Sequence, residues 1–402
     1  MKILVSSLLL FCHILPSVAQ QIGKTAQLPI DPAAENIEQI VKNNIPDQVK
    51  LIGIGEVATF AKETTQFNTA LAAYLVTKKS CRHFLLMDDE WMLRPLNEYL
   101  TGGDAVDSSV VDSLMRLSMD GYLRSVPFRA FLIWLKGYNL RHPQDRVDLL
   151  GVKADTRIPP SYFLAAYIVS ADKAGAIRLG RKWADRFYDD AAAFKDIEAW
   201  YQQALANPSL SGKKKELILR CGEDIQHNKA VIQRTSFEQM LPKKELDRMM
   251  SYEVSSILHK LDKRAILFAS NTSIVKSDVS SNRILNGQPV ASLGKLLYYK
   301  LRRNYYACVT SFADSANLLI VSAVRGKAES TVIPGDMETK RLFLQKDYYF
   351  MPADSGYMRR YQPPAISFFL EYPATIVPDS DLIAADALFL FSSLTTADII
   401  PN

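Results

Sequence analysis

Histidine is scarce in this 402-residue chain and cysteine scarcer, with five and four residues. Cys12 falls in an N-terminal leader, which leaves Cys81, Cys221 and Cys308 at wide spacing. An odd, scattered set is no disulfide framework. It reads as small, buried, apolar packing, with one bridged pair left open in an oxidising compartment. No CxxC or Cys/His pattern suggests zinc. An excess of one charge is also lacking. The net +5 on 48 basic and 43 acidic side chains is spread along the chain and gives no nucleic-acid footprint. A short basic run, Lys213-Lys214-Lys215, lies between helical stretches and reads as a solvated loop. Beyond the leader no apolar run is long and charge-free enough to span a bilayer, so no membrane anchor is expected after cleavage. No internal repeat or low-complexity segment stands out.

What is present is an ordinary globular balance, 48% hydrophobic and 23% charged. The length exceeds one ordinary core and implies one large domain with an insertion, or two domains. The first residues read as an export signal, residues 1–20. Lys2 is the basic flank, Ile3 to Leu15 the apolar stretch, and Ser17 and Ala19 the small residues before a cleavage site after Ala19 or Gln20. Bulky Phe11 before Cys12 argues against a lipid anchor. The expected location is periplasmic or extracellular.

Short apolar runs alternate with longer helical patterns. "VKLIGIGE", "HFLLMDDE" and "VDLLGVKAD" read as strands separated by helices such as "QFNTALAAYLVTKK" and "PFRAFLIWLKGYNLR". Continuous apolar strands between helices indicate an α/β fold, a mainly parallel central sheet covered on both faces. Residues 21–158 form its first half. Residues 159–263 read as a helical insertion. Residues 264–402 form the second half, with strands "RAILFASN", "NYYACVTSF", "NLLIVSAVR" and a last one, "DALFLFSSL". The stretch from Ser330 to Pro364, rich in Pro, Gly and Tyr, reads as irregular.

In such sheets ligands bind at the carboxyl ends of the strands. The first strand ends at Glu56 and the second at Asp88, Asp89 and Glu90. The third ends near Lys153 and Asp155, and the "AILFASN" strand at Ser270 and Asn271. Parallel neighbours would bring these polar ends to one rim, where Ser270, Asn271 and Lys153 could satisfy a buried carboxylate. The plainer alternative is that strands simply end in polar residues. Five carboxylates, Glu56, Asp88, Asp89, Glu90 and Asp155, could in principle hold a hard cation. Asp88 and Asp89 alternate to opposite faces of a strand, so no metal site is expected. "ASNTS" is no nucleophile elbow. No cofactor is expected.

The same residues carry a resemblance. "LIGIGEVATFAKETTQFNTALAAYL" resembles the opening motif of the erythromycin esterase family, which runs Gly-Glu-x-Thr-His, then Glu, then Arg. "HFLLMDDEW" resembles its second strand, "RAILFASNTSIVK" its His-Asn-x-His strand, and "SLGKLLYYKLRRNYYACVTSF" and "ADALFLFSSLTTADIIP" the segments that follow. The match covers most of the mature chain in order and skips the insertion. It implies an erythromycin-esterase-like fold in a family of hydrolases that open macrolide lactones and confer antibiotic resistance. Residue by residue, Glu56 and Glu63 match the two glutamates and Asp88 the second-strand Glu. Thr59 stands at the catalytic His, Asn68 at the Arg, and Ser270 and Ser273 at the His pair around Asn271.

Every imidazole of the family site is thus replaced. His83 and His142 precede the second and third strands, and His259 lies in the helix feeding "RAILFASN", all at the opposite edge. His227, in the insertion, is the one that could reach over the rim. The resemblance therefore implies a degraded hydrolytic site that binds a small molecule or an envelope partner. The alternative is an ester or lactone hydrolase with Glu56 or Asp88 as base. Glu63, Asp89, Glu90, Ser270 and Asn271 are the candidate ligand-binding groups.

Overall fold

The computed structural model describes residues 28–29, 35–58, 61–119, 123–153, 158–184, 190–208, 212–234, 243–280, 289–322, 327–334, 348–352, 375–377 and 384–398. The stretch read as a leader, residues 1–20, and the candidates Thr59 and Asp155 lie outside the described residues.

The first half runs β1 (Leu28–Pro29), α1 (Glu35–Asn44), β2 (Leu51–Glu56), α2 (Lys62–Lys78), β3 (His83–Asp89), α3 (Glu90–Thr101), α4 (Ser108–Ser118), α5 (Val126–Arg141) and β4 (Asp148–Lys153). Next comes α6, which starts as Pro160–Phe163, passes through a π turn over Leu164–Ile168 and ends as Val169–Ala171. The helices α7 (Lys173–Ala184), α8 (Asp190–Leu205), α9 (Gly212–Arg234) and α10 (Lys243–His259) follow. The second half holds β5 (Ala265–Ser270), α11 (Asn271–Ile274), β6 (Asp278–Ser280), β7 (Val290–Ala291), α12 (Leu293–Leu301), β8 (Tyr305–Ser322), β9 (Lys327–Pro334), β10 (Tyr348–Pro352), β11 (Thr375–Val377) and β12 (Ala387–Thr395).

The main sheet has the order β1-β10-β12-β8-β2-β5-β3-β4, with β9 paired to β8. The stretch from β12 to β4 is parallel throughout. β1, β10 and β9 join it antiparallel. From β2 the chain crosses to β3 on one side, and from β5 it crosses to β8 on the other. The carboxyl ends of β2 and β5 therefore flank the point where the winding reverses, the usual place for a ligand crevice.

Side-chain alternation sorts the sheet into two cores. Ile52, Ile54, Phe84, Leu86, Ile266, Phe268, Phe389 and Phe391 pack under α1 to α5. Leu51, Leu85, Leu267, Ala269, Ala307, Val309, Leu388 and Leu390 pack under α10 to α12. Period-two burial on both faces is what a covered parallel sheet requires. A third core, with Tyr162, Phe163, Ile197, Trp200, Ile218 and Ile225, joins α6 to α9. Of the stretch 159–263, then, α6 to α9 share a core of their own, while α10 puts Val254 and Ile257 on the sheet.

Two strand readings change. "NYYACVTSF" and "NLLIVSAVR" form one continuous strand, β8, because the "ADSA" between them carries no Gly or Pro to turn the chain. Part of the stretch read as irregular is regular: β9 reaches Pro334, and β10 pairs with β12 from Tyr348 to Pro352. The remainder of Ser330 to Pro364 lies outside the described residues. Cys81, Cys221 and Cys308 are all buried and free. Burial pushes the Cys81 thiol up to about 12, as for a packing residue rather than a nucleophile.

Candidate functional site

Gly53 and Gly55 thin out β2 for a local reason. The short helix α11 crosses this strand so closely that a Cβ on Gly55 would lie 2.4 Å from Asn271 Oδ1, and one on Gly53 2.8 Å from Ile274 Cγ2. That approach lets the Asn271 side chain act as an extra piece of strand. Its amide donates to Thr310 O at 2.6 Å and its Oδ1 accepts from Thr310 N at 3.1 Å. β2 has stopped pairing with β8 at Cys308, and the side chain continues the ladder. Thr310 Oγ1 in turn donates to Gly55 O at 3.0 Å and accepts from Val57 N at 2.8 Å. The main chain on both sides of Glu56 is pinned by one hydroxyl.

Glu56 is 7% exposed and opposite Ser270 in the β2–β5 register. It shares its face with Ile52 and Ile54, so it points at the first turn of α2. There Thr65 Oγ1 shares its proton between Glu56 Oε1 at 2.9 Å and Ala61 O at 2.8 Å, and Thr64 Oγ1, 3.2 Å from Ala61 O, lies 3.4 Å from the same carboxylate oxygen. Burial raises the Glu56 pKa from its ordinary 4.5 to about 7, and the two threonine hydroxyls pull against that rise. One turn further along α2, Asn68 is fully buried, and neither amide atom finds a hydrogen-bond partner among the described residues.

On β3, Asp88 is buried and its Oδ1 accepts from the amide of Asp89 at 2.8 Å. A register shift against β4 falls between Leu86 and Asp89. Asp89 is 1% exposed and caps α3: its Oδ1 accepts from Trp91 N and Met92 N, both at 2.9 Å. Its Oδ2 is buried with no partner among the described residues. Burial raises the Asp89 pKa to about 7, against the two capping amides.

The remaining candidates are tied into the scaffold. Glu90 pairs with Lys260 at 3.1 Å. Glu63 accepts from Thr395 N at 2.7 Å and from the Thr395 hydroxyl, which ties α2 to β12. Ser270 Oγ shares hydrogen bonds with Thr272 Oγ1 at 2.8 Å and Ser273 Oγ at 3.1 Å. The rim thus brings Glu56 and Ser270 together through the register and sets Asp88 and Asp89 two strands away. Among the described residues no cluster of His, Cys, Asp and Glu could hold a metal ion.

Sequence reasoning missed Thr64 and Thr65, which read only as the start of a helix. The usable signal was a pair of threonines one turn into the helix that follows a strand-terminal acid. Of the insertion, His227 reaches the rim as the sequence suggests, while Asp224 and the ring that His227 meets were not foreseen. His227 stacks on Trp91 with ring centroids 4.6 Å apart, and Asp224 of the same helix accepts from Arg94 at 2.9 Å and from the Tyr167 hydroxyl. Trp91 and Arg94 belong to the first turns of α3, so the insertion settles over Asp89 rather than Glu56.

No family model and no curated protein matches the chain. Solved structures do. A Bacillus cereus protein aligns at 15% identity over 95% of this chain and 99% of its own, with a TM-score of 0.61. A succinoglycan biosynthesis protein aligns at 15% identity over 96% and 99%, with a TM-score of 0.64. A histidine-to-asparagine mutant of the erythromycin esterase EreC, in its open conformation, aligns at 17% identity over 91% and 96%, with a TM-score of 0.54. The fold of this chain is that of an erythromycin esterase.

Proposed function

We propose that this chain binds a small polar molecule at the rim around Glu56 without hydrolysing it. The observation that carries the reading is the company Glu56 keeps. Among the described residues its carboxylate is held by two threonine hydroxyls and no imidazole. His83 lies between Asp148 and Asp262, at 3.3 and 3.1 Å, at the opposite edge of the sheet. His142 follows α5 and His259 ends α10, each just ahead of the next strand's start. His227 stacks on Trp91. At the positions that resemble the family's histidine pair, Ser270 and Ser273 bond to each other, and Asn271 completes a sheet. Groups that would do chemistry in an esterase do architecture here. We propose a location in the periplasm or outside the cell, a reading that rests on the leader pattern in residues 1–20.

One observation favours a second reading, an ester or lactone hydrolase with a carboxylate base. A carboxyl at about 7 is half ionised at neutral pH, as a general base should be. Of the two acids considered for that role, Glu56 fits it better, since Asp88 accepts the amide next to it. The neighbours of this fold include both an erythromycin esterase and a succinoglycan biosynthesis protein, and one fold hosts many activities. Hydrolysis assays decide. With a macrolide lactone and with p-nitrophenyl acetate, purified protein is expected to show no turnover above background. Turnover that disappears in Glu56→Gln would replace the binding reading with the hydrolase.

A further inference from the structure

The amino-end edge of the parallel sheet is not uniform. At β3 and β4 its acids meet cations: Asp145 pairs with Arg82, and His83 lies between Asp148 and Asp262. Lys263 adds its field to Asp145 and Asp262. Asp47, on the loop into β2, pairs with Lys79 at 2.6 Å. At the entry to β12, Asp386 pairs with Lys276, also at 2.6 Å. The neighbouring entries to β2 and β8 carry four exposed cations, Lys50, Lys300, Arg302 and Arg303. None of the four makes an ion pair among the described residues. The backbone brings them together. The amide of Lys50 donates to Asn304 O at 2.9 Å, and Leu51 lies opposite Tyr305 in the β2–β8 register. The two segments therefore enter the sheet side by side, about 5 Å apart.

Arg302 is held in strained backbone. It ends α12 with a φ of +52°, and only Ser80 shares a positive φ among the described non-glycine residues. Glycine usually fills such a helix end, because a side chain is strained there. The chain keeps an arginine instead, and its guanidinium lies 5.7 and 5.5 Å from the ring centres of Tyr298 and Tyr299. Tyr299 is 45% exposed. α12 packs Leu293 and Leu297 on one face of the sheet. The patch thus extends from the row of strand entries into the helix layer beside it, with an exposed aromatic ring among the cations.

We propose that Lys50, Tyr299, Lys300, Arg302 and Arg303 form a docking surface for an anionic phospholipid bilayer. Charge complementarity carries the proposal. A cluster of four cations is enough to hold a protein at an anionic lipid surface, each adding a similar increment. Tyrosine is also a ring that settles at headgroup depth, apolar body inward and hydroxyl in water. A linear polyanion calls for cations in single file, whereas these spread over two layers. Docked this way, the sheet turns its carboxyl-end edge, with Glu56, away from the lipid. The surface is independent of what Glu56 binds.

The test is co-sedimentation of the mature chain, residues 21–402, with vesicles of phosphatidylcholine alone and of an equimolar mixture with phosphatidylglycerol. Binding is expected to the mixed vesicles only, and to weaken as salt shortens the screening length. It should be at least about tenfold weaker in Lys50→Gln/Arg303→Gln. Arg302→Gly, which removes a charge and relieves the backbone, should bind about fivefold more weakly. Lys213→Gln/Lys214→Gln/Lys215→Gln, which removes three exposed charges from the insertion, should bind as wild type does. The same result with both vesicles, whether binding or none, overturns the proposal. So does an equal loss in the insertion variant, which would make net charge the cause. Binding of soluble poly-L-glutamate but of neither vesicle, lost in Lys50→Gln/Arg303→Gln, would assign the patch to an acidic polymer and overturns it as well.

Discussion

At the amino-end edge of the parallel sheet, Arg82 pairs with Asp145, Lys79 with Asp47 at 2.6 Å and Lys276 with Asp386 at 2.6 Å, while His83 sits between Asp262 and Asp148. At the carboxyl-end edge, Glu56 and Asp89 face hydroxyls and amides. The consequences are opposite. Lys79, Arg82 and His83 hold Asp47, Asp145 and Asp262 below the usual carboxylate range. Burial takes Glu56 and Asp89 up to about 7. One sheet carries acids at both ends, and the partner decides what each acid does. Paired with a cation, an acid is a fixed charge that closes an edge. Surrounded by neutral donors in a buried place, it can exchange a proton near neutrality.

The two edges should also differ in pH dependence. Glu56 and Asp89 have raised pKa values in the fold, so the folded state binds the extra protons. Their contribution to stability is complete below about pH 4 and is lost as pH rises through about 7. The amino-end acids have lowered values, so their contribution is present above the usual carboxylate range and is lost as pH falls below it.

The largest expected effect tests whether Asn271 belongs to the scaffold. Asn271→Ala leaves the N–H and C=O of Thr310 unpaired in a buried strand, at about 1–3 kcal/mol each. Chemical denaturation should show a loss of about 3 kcal/mol. A loss under about 1 kcal/mol would return Asn271 to the candidate ligand-binding groups and weaken the contrast drawn above. Next is Glu56→Gln, which keeps an acceptor for Thr65 and removes the titration. It should stabilise the protein by about 2 kcal/mol at pH 8 and change little at pH 4. Equal effects at the two pH values would mean that Glu56 is an ordinary ionised acid.

Much of this molecule is legible in its sequence, for physical reasons. Strand alternation is short-ranged, so "LIGIGE" and "HFLLMD" announce both their faces and the acids that end them. The parallel sheet follows from that alternation and the intervening helices. What stays hidden depends on contacts between distant positions. Thr65 looks like any helix-start threonine until the register points Glu56 at it. Asn271 stands beside Ser270, yet its role is set by Thr310. The unbroken β8 was hidden by a polar "ADSA" that resembles a turn in composition and lacks the residues that make one. His227 was placed over the rim by elimination. That it stacks on Trp91, above Asp89 and away from Glu56, depends on how α9 packs.

Thr65→Val probes the carboxyl edge more finely. The Thr65 hydroxyl lowers the Glu56 pKa against the effect of burial. Its removal should therefore move the Glu56 titration, followed by carbon NMR of the side-chain carboxyl, further above neutrality. The stability cost should be about 1 kcal/mol. An unmoved titration would show that burial alone sets the value and that the hydroxyl only orients the carboxylate.

The smallest effect belongs to the other edge. Asp145 is more than half exposed, while its partner Arg82 is mostly buried and also donates to Val76 O at 2.7 Å and Cys81 O at 2.9 Å. Water screens the charge of the exposed acid, and the carbonyls keep the guanidinium in place when the acid is gone. Asp145→Asn should therefore cost no more than about 0.5 kcal/mol, and less at high salt. Arg82→Met should cost more, because it breaks the carbonyl contacts as well as the ion pair. If Asp145→Asn instead rivals Glu56→Gln in size, the amino-end pairs are strongly coupled charges, and the difference between the edges lies in degree rather than in kind.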